Sequence, residues 1–142
     1  MPLIQYLSVY LLGIVELWGA IPAGLAFKLH PVSVAILSAA GSITSAVIVL
    51  LVGEPLRKRL LSLKKSTAQK PAGKLQHVWD KYGVPGLSLI APLLTGAHIG
   101  AAIALSLGGK KLQIILWMSV SCLIWATILT AAGTFGFSFF QK

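Results

Sequence analysis

Acidic residues are almost missing: the 142 residues include only Glu16, Glu54 and Asp80. Charged residues of both signs make up 11% of the chain, whereas a soluble domain carries about 25%. A water-soluble fold this small has too much surface to cover with so few charges, which excludes water as the solvent for most of the chain. There is one cysteine, Cys122, in an apolar run. It excludes a disulfide framework within the chain and reads as a small packing residue. The histidines and that cysteine have no metal-ligand spacing, no Ser/His/Asp set can be assembled, and no Gly-rich phosphate loop with a Lys-Ser/Thr occurs. The chain therefore reads as neither an enzyme nor the holder of a metal or cofactor. No Lys or Arg precedes Lys28 and no small-residue cleavage site is evident, so the first apolar block reads as retained rather than as a signal peptide.

What is abundant is apolar surface, 56% of residues, with a mean hydropathy of +0.86. It falls into four blocks, 2–27, 32–53, 83–109 and 112–141. Block two has no ionisable group and is long enough for one spanning helix, which needs about 20 residues. Pro31 suits its first turn, and Glu54-Pro55 is expected to close it. Its small residues, from Ser38 to Ala46, allow another helix to approach closely. Block four holds a second span, with an aromatic end at Phe135, Phe137, Phe139 and Phe140.

The bases are segregated. Eight of the twelve lie between Arg57 and Lys81, and the net charge is +9. Nucleic acid is set aside as a partner, because basic loops beside apolar spans are the positive-inside signal of an inner-membrane, multi-pass protein. The stretch 54–82 is thus expected to be a cytoplasmic connector. Arg57, Lys58 and Arg59 read either as lipid-headgroup contacts or as topology determinants alone. Leu75, Val78, Trp79 and Tyr82 recur at helical spacing, the pattern of a helix lying at the membrane surface. Ser66 to Gly73 reads as a flexible loop.

Blocks one and three are interrupted, by Gly19, Pro22 and Gly24 in one and by Pro85, Pro92, Thr95 and Gly96 in the other. Each either crosses the membrane as a broken helix or enters and returns as a re-entrant hairpin tipped by those residues. Re-entry in both puts ten of twelve bases inside, leaving Lys28 and Lys142 outside; four crossings put Lys28, Lys110 and Lys111 outside. Re-entry fits the charges better. The expected fold is an all-α integral membrane protein forming one domain, with two re-entrant hairpins and two spanning helices in an inverted repeat. Its halves are 1–53 and 83–142, joined by the connector and its interfacial helix. Transporters of this design hold their site near the midplane. Short matches bear on the repeat: GAIPAGL at 19–25 against GVPGLSL at 83–89, or against APLLTG at 91–96.

The string ELWGAIPAG at 16–24, a basic loop, and then KYGVPGLSLIAPLLTGAHIGAAIALSLG at 81–108 resemble the small multidrug export protein family, which looks like a compact relative of the DedA, or SNARE-associated, membrane proteins. The matching elements are Glu16, Gly19, Ile21, Pro22, Pro92, Thr95 and Gly96. The resemblance implies opposed re-entrant hairpins, homo-oligomers, and transport or lipid-carrier flipping. Two departures stand out. A basic residue often follows the first glutamate in the family, where this chain has Trp18. The arginines typical of DedA proteins near the second hairpin are also absent.

Glu16 and His98 are the titratable groups at hairpin positions and the candidate proton- or substrate-binding pair. Desolvation raises a carboxyl pKa and histidine titrates near neutrality, which suits proton-linked transport. The structural alternatives are a helix-capping carboxylate and a packing histidine. Thr95 and the glycines satisfy backbone at the tips; if the tips meet, their free N–H groups attract anions. Three functions follow: a transporter of amphipathic small molecules or lipid carriers, a flippase for a polyprenyl-phosphate-type lipid, or a membrane scaffold. The expected partners are membrane lipids, the transported molecule and further copies of the chain.

Overall fold

Six helices and no strand make up the residues described by the computed structural model, 2–63 and 74–140. They are α1 (Pro2–Val15), α2 (Leu17–Ala26), α3 (Pro31–Leu63), α4 (Lys74–Leu94), α5 (Ala97–Ser106) and α6 (Lys111–Phe140). Side chains at 2, 54, 56–63, 74–76 and 137–140 are not among those described, and the Ser66–Gly73 loop lies outside the described residues.

Pro31 opens α3 as expected, since its fixed φ and missing N–H suit a first turn. Glu54-Pro55 does not close it: α3 runs on to Leu63 with Pro55 inside. Proline deletes one intrahelical bond, but the Leu, Arg and Lys residues that follow are good helix formers. Two stretches are long and apolar enough to cross a membrane, Pro31–Gly53 with 23 residues and Lys111–Gly136 with 26.

The packing suits a lipid environment. Val32, Ile36, Ile48 and Leu51 on α3 and Leu112, Leu116, Val120 and Ile128 on α6 face outward, while Ser38, Ser42, Ser45, Ser88, Ser121 and Thr130 are buried. Large apolar side chains outside and small or hydroxyl residues at helix contacts are the pattern expected where hydrocarbon is the solvent.

The inward face repeats. Val34, Ser38, Ser42, Ala46 and Leu50 are buried on α3, and Ile114, Met118, Cys122, Ala126 and Thr130 on α6. Each set steps by four along one helix face, and each α6 residue follows its α3 counterpart by 80 positions. The same offset relates α2 to α5, both 10 residues long, and the turns after them. Phe27, Lys28 and Leu29 N–H donate to Ala23, Leu25 and Gly24 carbonyls, as Leu107, Gly108 and Gly109 donate to Ile103, Leu105 and Ala104. Both turns use a positive φ, 56° at Lys28 and 93° at Gly108, the usual left-handed helix stop. The equivalence extends to tertiary contacts: a methyl group at Gly133 would lie 2.6 Å from Leu25, and one at Gly53 would lie 3.3 Å from Leu105.

At this 80-residue offset, residues 19–25 pair with 99–105 rather than with 83–89 or 91–96, and Pro22 pairs with Ala102. The prolines that prompted the matches sit on non-equivalent helices.

α1 packs on α2 and α3, α4 packs on α5 and α6, and α3 packs on α6; across the halves α2 meets α6 and α5 meets α3. Val34 and Ala39 of α3 share a core cluster with Ala126 of α6. Ala46 and Leu50 share the other with Ile114, Met118 and Cys122. The two long helices therefore run in opposite directions.

Candidate functional site

The first break is a single residue. Glu16 is extended (φ −156°, ψ 128°) between α1 and α2. Its N–H still donates to Leu12 O at 2.7 Å, and its carbonyl accepts the Ala20 N–H at 3.2 Å. The acid thus stands at the N-cap of α2, where negative charge is favoured. Its side chain is exposed and makes no capping hydrogen bond. Beyond it α2 turns back beside α1: a methyl group at Gly24 would lie 3.1 Å from Val9 and 2.8 Å from Val34. Gly19, Pro22 and Gly24 are therefore not tip residues; all three are inside α2. Pro22 is the sixth residue of that helix, and the chain turns one residue before the helix starts.

The second break is Thr95-Gly96. Gly96 has φ 83°, a conformation that disfavours any residue with a Cβ. The Thr95 N–H and hydroxyl both donate to Ala91 O, at 2.9 and 3.3 Å. α5 returns along α4 with Gly100 against Ala91 and Met118. Pro85 and Pro92 lie within α4 rather than at the tip. Pro85 follows a kink at Gly83 (φ 63°, ψ −147°), which places it at the start of the next helical stretch, where its missing N–H does no harm.

Both first legs carry carbonyls that need partners, and the long helices supply them. The Ser42 hydroxyl donates to Gly13 O at 2.9 Å, beside the end of α1. On α4, Leu89 O accepts the Trp125 indole N–H at 2.8 Å and the Ser121 hydroxyl at 3.3 Å. Broken helices are tolerated in hydrocarbon when neighbouring helices satisfy the freed groups. Sequence reading missed Ser42, Ser121 and Trp125; the available signal was the stripe of hydroxyls stepping along block two.

The breaks lie beside the middles of the long helices. Leu17, just past Glu16, shares its cluster with Ala126 of α6; Ala97, just past Gly96, shares the other with Ala46 of α3. At the 80-residue offset Glu16 is the counterpart of Gly96, and Trp18 that of His98. Among the described residues no hydrogen bond or ion pair joins Glu16 to His98. The half-buried His98 ring instead lies back over its own break, 3.2 Å from where a methyl group at Gly96 would stand.

Between α2 and α6 runs an apolar groove of about 240 Å³, lined by Trp18, Ile21, Pro22, Leu25, Leu129, Ala132 and Gly133. Trp18, two residues past the acid, is 45% exposed. Pro22 is exposed beside it. Thus one broken hairpin offers a carboxylate, an accessible indole and an apolar wall in sequence. No group of His, Cys, Asp and Glu able to hold a metal ion occurs among the described residues.

The charged ends separate. The Leu105–Gly53 contact places the loop before Lys110 and Lys111 at the end where α3 continues into Arg57, Lys58 and Arg59. The side chains of those three lie outside the description, as do Lys64, Lys65, Lys70 and Lys142. The Leu25–Gly133 contact places Lys28 at the opposite end.

No curated protein and no solved structure matches the chain. Residues 16–128, from the acid at the first break to well along α6, match the model of the family described as "Putative small multi-drug export protein". With the match spanning most of its length and two of its helices long and apolar enough to cross a membrane, the chain is a membrane protein and belongs to that family.

Proposed function

We propose that this protein exports amphipathic small molecules carrying positive charge, and that Glu16 exchanges a proton for the substrate. The observation that carries the reading is the first break: an exposed carboxylate at the N-cap of α2, followed by an exposed indole and an apolar groove. A bare charge near the bilayer centre costs about 2.5–3.5 kcal/mol on insertion scales. The N-terminus of α2 offsets part of that; a proton or a cationic substrate offsets the rest. The apolar body of such a substrate fits the groove, and its charge fits the carboxylate and the face of Trp18. Proton and substrate then compete for one group, which is the requirement for exchange.

The packing supports an inverted repeat around this site. Exchanging α1 with α4, α2 with α5 and α3 with α6 turns every packing partnership into another that exists. Since α3 and α6 run oppositely, a two-fold relating them is perpendicular to their length. α2 and α5, 10 residues each, are about 15 Å long, half of the roughly 30 Å hydrocarbon layer. Re-entrant hairpins from opposite faces fit these lengths and the shared end of Lys110, Lys111 and the basic connector. A second copy of the chain would enclose the exposed first break, and mass measurement in mild detergent checks this: a clean monomer overturns it.

The test of function is transport of a fluorescent lipophilic cation into vesicles under an imposed pH gradient. Glu16→Gln is expected to abolish pH-driven uptake while the folded fraction holds. Equal uptake by the variant removes Glu16 from the mechanism.

A further inference from the structure

We propose that the basic end of the molecule holds an anionic phospholipid headgroup, with Lys81 and Lys110 as ligands to its phosphodiester and the segment Lys74–Tyr82 lying on the membrane surface above it. Three chain segments distant in sequence converge there. The kink at Gly83 (φ 63°) separates the polar first part of α4 from its apolar remainder. A methyl group at Gly109 would lie 3.2 Å from Val84, so the base of that polar segment touches the α5–α6 turn. Leu105 against Gly53 brings the outward continuation of α3 to the same end.

The segment has two faces. Val78 and Trp79 are half-buried, and Trp79 packs on the core cluster that holds Val84 and Leu105. His77, Asp80, Lys81 and Tyr82 are exposed. The Lys81 ammonium stands 5.3 Å from the centre of the Tyr82 ring, an arrangement that presents an amine and an aromatic together. Lys110 is exposed at the turn below. From Arg57 to Lys111 the sequence has ten bases and one acid, Asp80. Such a surface, with the Tyr82 ring exposed beside it, is complementary to an anionic leaflet. Each lysine near that surface contributes about 1 kcal/mol to binding. None of this depends on what is transported.

The test is native mass spectrometry of the full chain in mild detergent with equal amounts of phosphatidylglycerol and phosphatidylcholine. Phosphatidylglycerol is expected to be retained preferentially. Lys81→Gln with Lys110→Gln should weaken its retention about fivefold for each lysine removed, whereas Lys28→Gln, at the opposite end, should leave it unchanged. Circular dichroism confirms that the variants are folded. Equal retention of the two lipids overturns the proposal, as does undiminished phosphatidylglycerol binding by the folded double variant. Millimolar inorganic phosphate should leave the lipid in place; complete displacement would mean a site for free phosphate, and the lipid assignment would fail.

Discussion

Replacing Trp125 by phenylalanine removes one N–H and keeps most of the apolar bulk. That donor reaches Leu89 O at 2.8 Å, and the Ser121 hydroxyl reaches the same oxygen at 3.3 Å. We tie that oxygen to Pro92, three residues on inside α4. A proline inside a helix has no N–H for the carbonyl four residues back, here Ser88, and its ring forces the preceding turn open. Interhelical hydrogen bonds in membranes contribute about 0.6 kcal/mol on average and up to about 1.7. Because Ser121 remains as a second donor, Trp125→Phe alone should cost about 0.5–1 kcal/mol. Adding Ser121→Ala removes both interhelical donors to that oxygen, and the pair should cost about 1–3 kcal/mol. Equilibrium unfolding in mixed micelles measures these values, and a double-mutant cycle with Pro92→Ala isolates their cause. Restoring the N–H at position 92 closes the turn, so Trp125→Phe should cost clearly less in that background. An equal cost with and without Pro92 would refute the link between the proline and the indole.

Gly19→Ala should stabilise the protein by about 0.5–1 kcal/mol, since Gly19 is helical and faces open space; a loss of stability in the same unfolding assay would put it back at a tip. Gly96→Ala should do the opposite, costing about 1–3 kcal/mol for a Cβ in a backbone conformation that essentially only glycine adopts, given φ 83° and ψ 157°. Gly41→Ala drives a methyl group into the Tyr10 and Gly13 backbone and should cost about 1–3 kcal/mol, read as a lowered midpoint of thermal aggregation in detergent. Ser42→Ala should cost about 1–3 kcal/mol by stranding the buried Gly13 carbonyl, with Ser33→Ala on the same helix near neutral as the control.

Hydrophobic run length was enough to locate both long helices, because a span must be apolar over its whole length whatever it packs against. Pro31 as the start of α3 was legible for the same kind of reason: its φ constraint is local. The ends were less so. Pro55 reads as a stop, yet α3 passes through it, since one lost hydrogen bond is outweighed by a strongly helical continuation. The breaks in blocks one and three were legible as breaks but not as positions. Glycine and proline mark where a helix is weak, while the turn itself was fixed by tertiary packing of α2 on α1 and α6, and it fell at Glu16. The 80-residue register was hidden because it resides in burial and backbone hydrogen bonds, which residue identity reports poorly: Ser38 answers to Met118 and Leu50 to Thr130. Glu16 stood out from its charge alone in an apolar run. The groove did not, since its far wall, Leu129, Ala132 and Gly133, comes from the other end of the chain.

The joint at Glu16 is one residue long. Its amide is bonded backward to Leu12 and its carbonyl forward to Ala20, so the two peptide planes that flank it belong one to each helix, and rotation about its φ and ψ changes the angle between the helices without breaking either bond. An inserted residue would spin α2 by about 100°, swinging Ala20 and Ile21 into lipid. What keeps the first hairpin shut is therefore the packing of α2 on its neighbours, with Gly24 against Val9 and Val34, and not the bonds at the joint itself.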